Sequence, residues 1–179
     1  MIDPVVQLSV CGALAWVWIA SGVEKLRDLP RFRRIFADYR LLPTLLSRAF
    51  APLVALAELG LGAGLLWPAG RPIALLGVAG LLSLYSAAIA LNLARGRRDI
   101  DCGCAGPQAR ATLAGWLLWR NAALIAAALA CRLPQDPRPL VWLDVLSVLG
   151  SACVLVASWS AIHGLAANAG SLARSARPA

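Results

Sequence analysis

Five apolar runs, at residues 5–22, 49–67, 72–93, 111–131 and 140–163, constrain this chain more than any other feature. Each has the roughly 17 to 25 residues that a helix needs to cross the hydrocarbon core of a bilayer. Hydrocarbon offers no partner to a backbone N–H or C=O, so such runs satisfy their backbones internally as helices. Composition agrees: 60% of the 179 residues are hydrophobic, against about 45 to 50% in a soluble domain, and the mean hydropathy is +0.71. The expectation is an all-α integral membrane helix bundle of about five transmembrane helices. It forms one domain over 1–179, with no room for a separate soluble one. The opening Met1-Ile2-Asp3-Pro4 lacks a basic n-region, so the first run is expected to be a retained helix.

The connections carry the charge. Residues 68–72, Pro-Ala-Gly-Arg-Pro, enforce a tight turn and an antiparallel hairpin between the second and third runs. Residues 24–48 hold Lys25, Arg27, Arg31, Arg33, Arg34, Arg40 and Arg48, with Phe32, Ile35, Phe36 and Tyr39 at helical spacing. That pattern predicts an amphipathic helix lying in the interface against membrane lipid, ended by Pro43. The loop 95–110 adds Arg95, Arg97, Arg98 and Arg110, and the tail adds Arg174 and Arg177, whereas only Arg71, Arg132 and Arg138 fall at the other ends of the runs. The net charge of +8 is therefore read as a topology signal, not as a nucleic-acid footprint. It predicts an outside N-terminus, an inside C-terminus and a cytoplasmic 95–110 loop. The seven tryptophans are expected near span ends as interfacial anchors.

Within that loop, Asp101-Cys102-Gly103-Cys104-Ala105-Gly106 places two thiols around one glycine. A disulfide closed over so short a loop is strained, and strained or exposed disulfides exchange. The flanking Asp, Gly and Arg residues make the surroundings polar, unlike the buried apolar sites of inert cysteines; filling space is the alternative reading. Cys102 and Cys104 are the candidate catalytic pair. Five cysteines cannot all pair within one chain. Cys11 and Cys153 are read as packing residues, and Cys131 as remote from Cys104, at the far end of the same helix. A lone histidine and two loop thiols do not make a tetrahedral set, so no metal is expected.

Glu58 and Arg120 each lie nine residues into their runs, roughly 14 Å at 1.5 Å per residue. An unpaired charge at such depth costs at least about 2.5 to 3.5 kcal/mol on insertion scales, so each needs a partner, and they are expected to meet. The pair either fixes helix register or forms a polar centre that tunes the thiols. Asn121 and Asn92 would extend this polar centre. His163 is a candidate proton relay or a surface residue.

These motifs together resemble the methylamine-utilisation membrane family MauE, itself related to DoxX-like four-helix membrane proteins. The similarity rests on Ser21-Gly22-Val23-Glu24-Lys25-Leu26, Tyr39-Arg40-Leu41-Leu42-Pro43, Glu58, Asn92-Leu93-Ala94-Arg95-Gly96, the Cys-Gly-Cys run and Arg120-Asn121. The resemblance implies a four-helix core, a bacterial inner-membrane location and a thioredoxin-fold partner of the MauD kind. It further implies a role in maturing a disulfide-rich secreted client such as the methylamine dehydrogenase small subunit. A quinone is the cofactor that electron transfer across the membrane would call on. The rivals are a noncatalytic scaffold for the partner and a small-molecule transporter centred on Glu58 and Arg120.

Overall fold

A computed structural model of the chain describes residues 2–97, 100–101, 113–134, 136 and 138–175. The Cys102/Cys104 pair lies outside the described residues, as does most of the 95–110 loop. The described residues form helices α1 (Pro4–Arg27), α2 (Leu29–Asp38), α3 (Thr44–Leu66), α4 (Arg71–Ala94), α5 (Trp116–Ala130) and α6 (Trp142–Ser175), and no strands. The chain is an all-α membrane helix bundle. Four of its helices, α1, α3, α4 and α6, are long and apolar enough to cross a membrane.

Local chemistry sets the boundaries. Asp3 accepts a hydrogen bond from the Val5 N–H at 2.8 Å, with Pro4 in the first turn, so α1 starts on a standard N-cap. Asp28 caps α2 in the same way, accepting from the Arg31 N–H at 3.1 Å. At the end of α4, Gly96 takes φ +71°, a left-handed conformation that favours glycine, and the Arg97 N–H returns to the Asn92 carbonyl at 3.0 Å. The 68–72 turn forms as expected: the Arg71 N–H reaches the Trp67 carbonyl at 2.9 Å, and α3 and α4 pack as a hairpin.

Two expectations are corrected in length. The interfacial segment is not one helix over 24–48: α1 continues through Lys25 to Arg27, α2 covers only 29–38, and α3 already begins at Thr44. Helix α1 runs on through Val23-Glu24-Lys25-Leu26-Arg27 to the Asp28 cap, and Arg40, at φ 48°, breaks the chain between α2 and α3. On α2 itself, Phe32 is buried while Arg33 and Arg34 are exposed, as amphipathicity requires. The fourth run yields a helix of 15 residues, about 22 Å at 1.5 Å per residue, short of the ~30 Å core. Its first part is diverted: the Leu113 N–H bonds to the Ile100 carbonyl instead of starting a helix.

Helix α1 is central. It packs on α3, α6, α2 and α5, while α3–α4 and α4–α5 complete a ring of α1, α3, α4 and α5. The α1–α3 crossing is close because of two glycines. A Cβ on Gly22 would lie 3.0 Å from the Ala55 carbonyl, and one on Gly62 would lie 3.1 Å from the Ile19 backbone nitrogen. Small residues at such contacts are how membrane helices approach without a hydrophobic driving force. Helix α6 runs parallel to α1 on the outside of the ring, joined by a Ser151–Ser9 hydroxyl contact of 2.6 Å. Most of its large apolar side chains are exposed, as a lipid-facing helix demands. The carboxyl ends of α1, α4 and α6 and the amino ends of α3 and α5 share one end of the bundle, here called the basic end.

Candidate functional site

The deepest charge in the bundle, Glu58, has a different partner from the one its depth suggests. Its ion pair is with Lys25 of α1, not with Arg120, and Lys25 and Glu58 are 6% and 2% exposed. The reason is the close α1–α3 crossing, which sets Lys25 beside α3 one turn beyond Gly22. Glu58 Oε1 also accepts from the Tyr85 hydroxyl at 2.6 Å, and Lys25 Nζ donates to Ser21 Oγ at 3.0 Å. The ammonium lies 5.3 Å from the Phe32 ring centre and 5.4 Å from that of Tyr85, within cation–π range. Glu58 Oε2 is buried with no hydrogen-bond partner among the described residues. Lys25, Tyr85 and Ser21 are thus site residues that sequence reasoning missed. The Ser21/Lys25 spacing of four, one helical turn, was the available signal.

Arg120 sits on α5 across the same space. Its Nε and Nη2 donate to Asn121 Oδ1 at 3.1 and 2.9 Å, and its guanidinium lies 5.6 Å from Trp116 and 5.4 Å from Trp159. Asn121, fully buried, donates onward to Ser86 Oγ at 3.1 Å, tying α5 to α4. Glu58 and Arg120, although not an ion pair, line one cavity of about 210 Å³ with Trp16, Trp18, Ser21, Glu24, Tyr85 and Trp159. This corrects the reading of Trp16, Trp18 and Trp159 as span-end anchors: they lie within α1 and α6 and line this cavity. Of the residues expected to form a polar centre, Glu58 and Arg120 line this cavity, whereas Asn121 is outside the lining and accepts from Arg120.

Asn92 is not part of that lining. It is fully buried at the end of α4, donating to the Ala88 carbonyl at 3.0 Å and accepting from Arg97 Nη1 at 3.0 Å. Its work is to finish a helix and hold Arg97, whose Nη2 reaches the Asp38 carbonyl of α2 at 2.8 Å. His163 lies on α6, but its side chain is outside what the structure describes.

The flanks of the Cys-Gly-Cys run are fixed at the basic end. Asp101, next in sequence to Cys102, is bridged by Arg31 of α2 at 3.0 Å. Ile100 and Leu113 are joined by their 3.1 Å backbone bond and pack with Ile89 and Leu117. Both ends of the segment that carries Cys102 and Cys104 are therefore anchored together over α2, α4 and α5. Among the remaining cysteines, Cys11 is core, as expected, but Cys153 is exposed on α6 and fills no core space. No group of three metal-ligating side chains is found among the described residues.

The family profile described as methylamine utilisation protein MauE matches residues 3–134. The chain belongs to the MauE family. Helices α1 to α5, the ion pair, the cavity residues contributed by those helices and the Cys-Gly-Cys run all fall within the matched region. The chain is 35% identical over 171 residues to a methylamine utilization protein MauE of Methylorubrum extorquens, covering 93% of this chain and 92% of that one. A MauE of Methylophilus methylotrophus is 42% identical over 102 residues, 57% of this chain and 54% of that one. One from Paracoccus denitrificans is 35% identical over 131 residues, 73% and 70% of the two chains. No solved structure matches the chain. In this MauE-family bundle, α6 lies beyond the profile match, yet Trp159 of α6 closes the cavity.

Proposed function

We propose that this multi-pass protein of the bacterial inner membrane is a thiol–disulfide redox factor of methylamine utilisation. Cys102 and Cys104 cycle between dithiol and disulfide by exchange with a thioredoxin-fold, MauD-like protein, in support of a disulfide-rich periplasmic client such as the methylamine dehydrogenase small subunit. In the exchange a thiolate of one partner attacks the other's disulfide, a mixed disulfide forms, and the second thiol resolves it. Two electrons pass to the protein whose disulfide opens. The observation that carries the reading is the anchoring of both flanks of the Cys-Gly-Cys run, through Arg31–Asp101 and Ile100–Leu113, at one end of a membrane bundle.

A quinone suits the 210 Å³ cavity in chemistry: Trp16 and Trp159 line it with ring surface and Arg120 with N–H groups that a quinone carbonyl accepts from. When bound it would supply a two-electron acceptor within the membrane. The chain's own part is to hold the ring.

The test replaces both thiols, Cys102→Ser with Cys104→Ser, in cells that depend on the client. Loss of client maturation at unchanged levels of this chain is expected. Maturation that persists leaves the noncatalytic scaffold as the reading. Alkylation trapping with a membrane-impermeant reagent reports the redox state and the side of the pair together.

A further inference from the structure

A second pair of thiols meets at the opposite end of the bundle. Cys11, in α1, and Cys131, which ends α5, are separated by most of the chain but lie in one core cluster, 2% and 3% exposed. Both are free thiols. Gln7, one turn before Cys11, donates its amide to the Cys131 carbonyl and so holds the end of α5 against α1. Its Oε1 is buried with no partner among the described residues.

The pair is not sealed in. Cys11 borders a cavity of about 320 Å³ and Cys131 one of about 330 Å³, and Arg71 lines both. Packing alone explains a buried cysteine. It does not explain two thiols from distant segments brought into one core cluster, each on a cavity wall, with a cation between the cavities. A nearby cation is the kind of neighbour that reactive cysteines keep.

We propose that Cys11 and Cys131 form a second reversible dithiol–disulfide pair, at the end of the bundle opposite Cys102 and Cys104, that exchanges with a protein disulfide on that side. The Cys131 thiolate attacks one sulfur of the incoming disulfide, and the other sulfur leaves and takes up a proton. Cys11, giving up its proton, then attacks the Cys131 sulfur of the mixed disulfide and releases the second partner sulfur, which is protonated in turn. The chain loses two electrons and two protons to the partner, and a Cys11–Cys131 disulfide ties α1 to α5. The reverse sequence reduces it. The positive-inside pattern puts this pair on the face away from the cytoplasm. This pair does not require Cys102 and Cys104 to be redox-active.

The test uses the full chain in native membranes with Cys102, Cys104 and Cys153 all changed to Ser. The chain is equilibrated with mixtures of oxidised and reduced thioredoxin, quenched with acid and alkylated with a mass tag. The expected result is two tags under reducing conditions and none under oxidising ones, interconverting in the folded protein. Adding Cys11→Ser to this background should trap a mixed disulfide between Cys131 and thioredoxin. Two tags at every ratio would overturn the proposal. A disulfide that thioredoxin reduces only after the bundle is unfolded would also overturn it, showing a static staple. Should the triple-serine chain fold poorly, the same titration on the unmodified chain, with the Cys11–Cys131 cross-link read by peptide mapping, separates the same outcomes.

Discussion

The two ends of the bundle solve the same problem, holding helices together in lipid, with different chemistry. Toward the basic end the contacts are charged and polar: Lys25–Glu58–Tyr85, Arg120–Asn121–Ser86, Arg97–Asn92 and Arg31–Asp101. Toward the N-terminal end the core is apolar, with Leu14, Leu65, Leu75 and Ala128 around Cys11 and Cys131. Charge there comes from Arg71 on the cavity walls and from the rim, where Arg138 holds Asp3 and Asp144. Polar networks in a low-dielectric interior demand complete pairing, whereas apolar packing tolerates small volume changes. The basic half should therefore fail abruptly when a partner is removed, and the N-terminal half by degrees.

The largest expected effect is at the ion pair. Lys25→Met leaves Glu58 buried without its cation and should cost about 3–5 kcal/mol, whereas Lys25→Met with Glu58→Leu should recover most of that. Thermal unfolding in detergent, run as a double-mutant cycle, measures both. If the double variant is stable but supports no client maturation, the pair serves the site rather than the fold. If single and double variants are equally unstable, the contrast between the two halves is wrong.

Next comes the crossing that creates the pair. Gly22→Ala drives a methyl to 3.0 Å from the Ala55 carbonyl, a backbone atom that cannot rotate away. A cost of about 1–3 kcal/mol is expected from overpacking, with Lys25 displaced from Glu58. Gly12→Ala, on the apolar side of α1, meets only Ala152 at 3.8 Å and should be nearly neutral. Comparing the two substitutions by the same unfolding assay tests whether the tight seam runs only toward the basic end.

The bundle is legible in the sequence because length and apolarity fix a span almost regardless of neighbours. The 68–72 turn is legible through its prolines and glycine. The charge partners are not. Depth along each run puts Glu58 level with Arg120, but a helix has faces as well as height, and only the Gly22 and Gly62 contacts decide which face of α1 meets α3. Apolar length ends the first run at residue 22 and so assigns Lys25 to a connection, while the hydrogen bonds of α1 run on to Arg27. Cys11 and Cys131 escape a local reading for a related reason: their meeting depends on α1 touching α5, which no local pattern encodes.

A smaller effect is expected at Arg31. Its bridge to Asp101 is partly exposed, 29% and 20% for the two side chains, and Arg31→Ala should cost only about 0.2–1 kcal/mol. Its consequence should show in chemistry instead: the alkylation rate of Cys102, next to Asp101, should rise while the unfolding temperature barely moves. An unchanged rate would mean that the Arg31–Asp101 bridge does not set the position of the segment.

The smallest effect sharpens the other end. Asp3 is held below the usual carboxylate value of 3.8, chiefly by its hydrogen bonds from Arg138 and then by that from the Val5 N–H. The Arg138 guanidinium is correspondingly raised by Asp144 and Asp3 and stays charged throughout. A carboxyl whose folded value is depressed contributes stability that is complete above its unfolded value and is lost as the pH falls through the folded one. The Asp3–Arg138 contact should therefore be intact at neutral pH and open only in strong acid, freeing the Ile2 to Pro134 backbone bond at the rim beside Cys131. Asp3→Asn should lower the unfolding temperature slightly at neutral pH and match the unmodified chain once the pH has fallen through the depressed folded value of Asp3. A variant that remains less stable in acid would show that Asp3 acts as the cap of α1 rather than through Arg138, leaving the N-terminal end without a charged rim of any consequence.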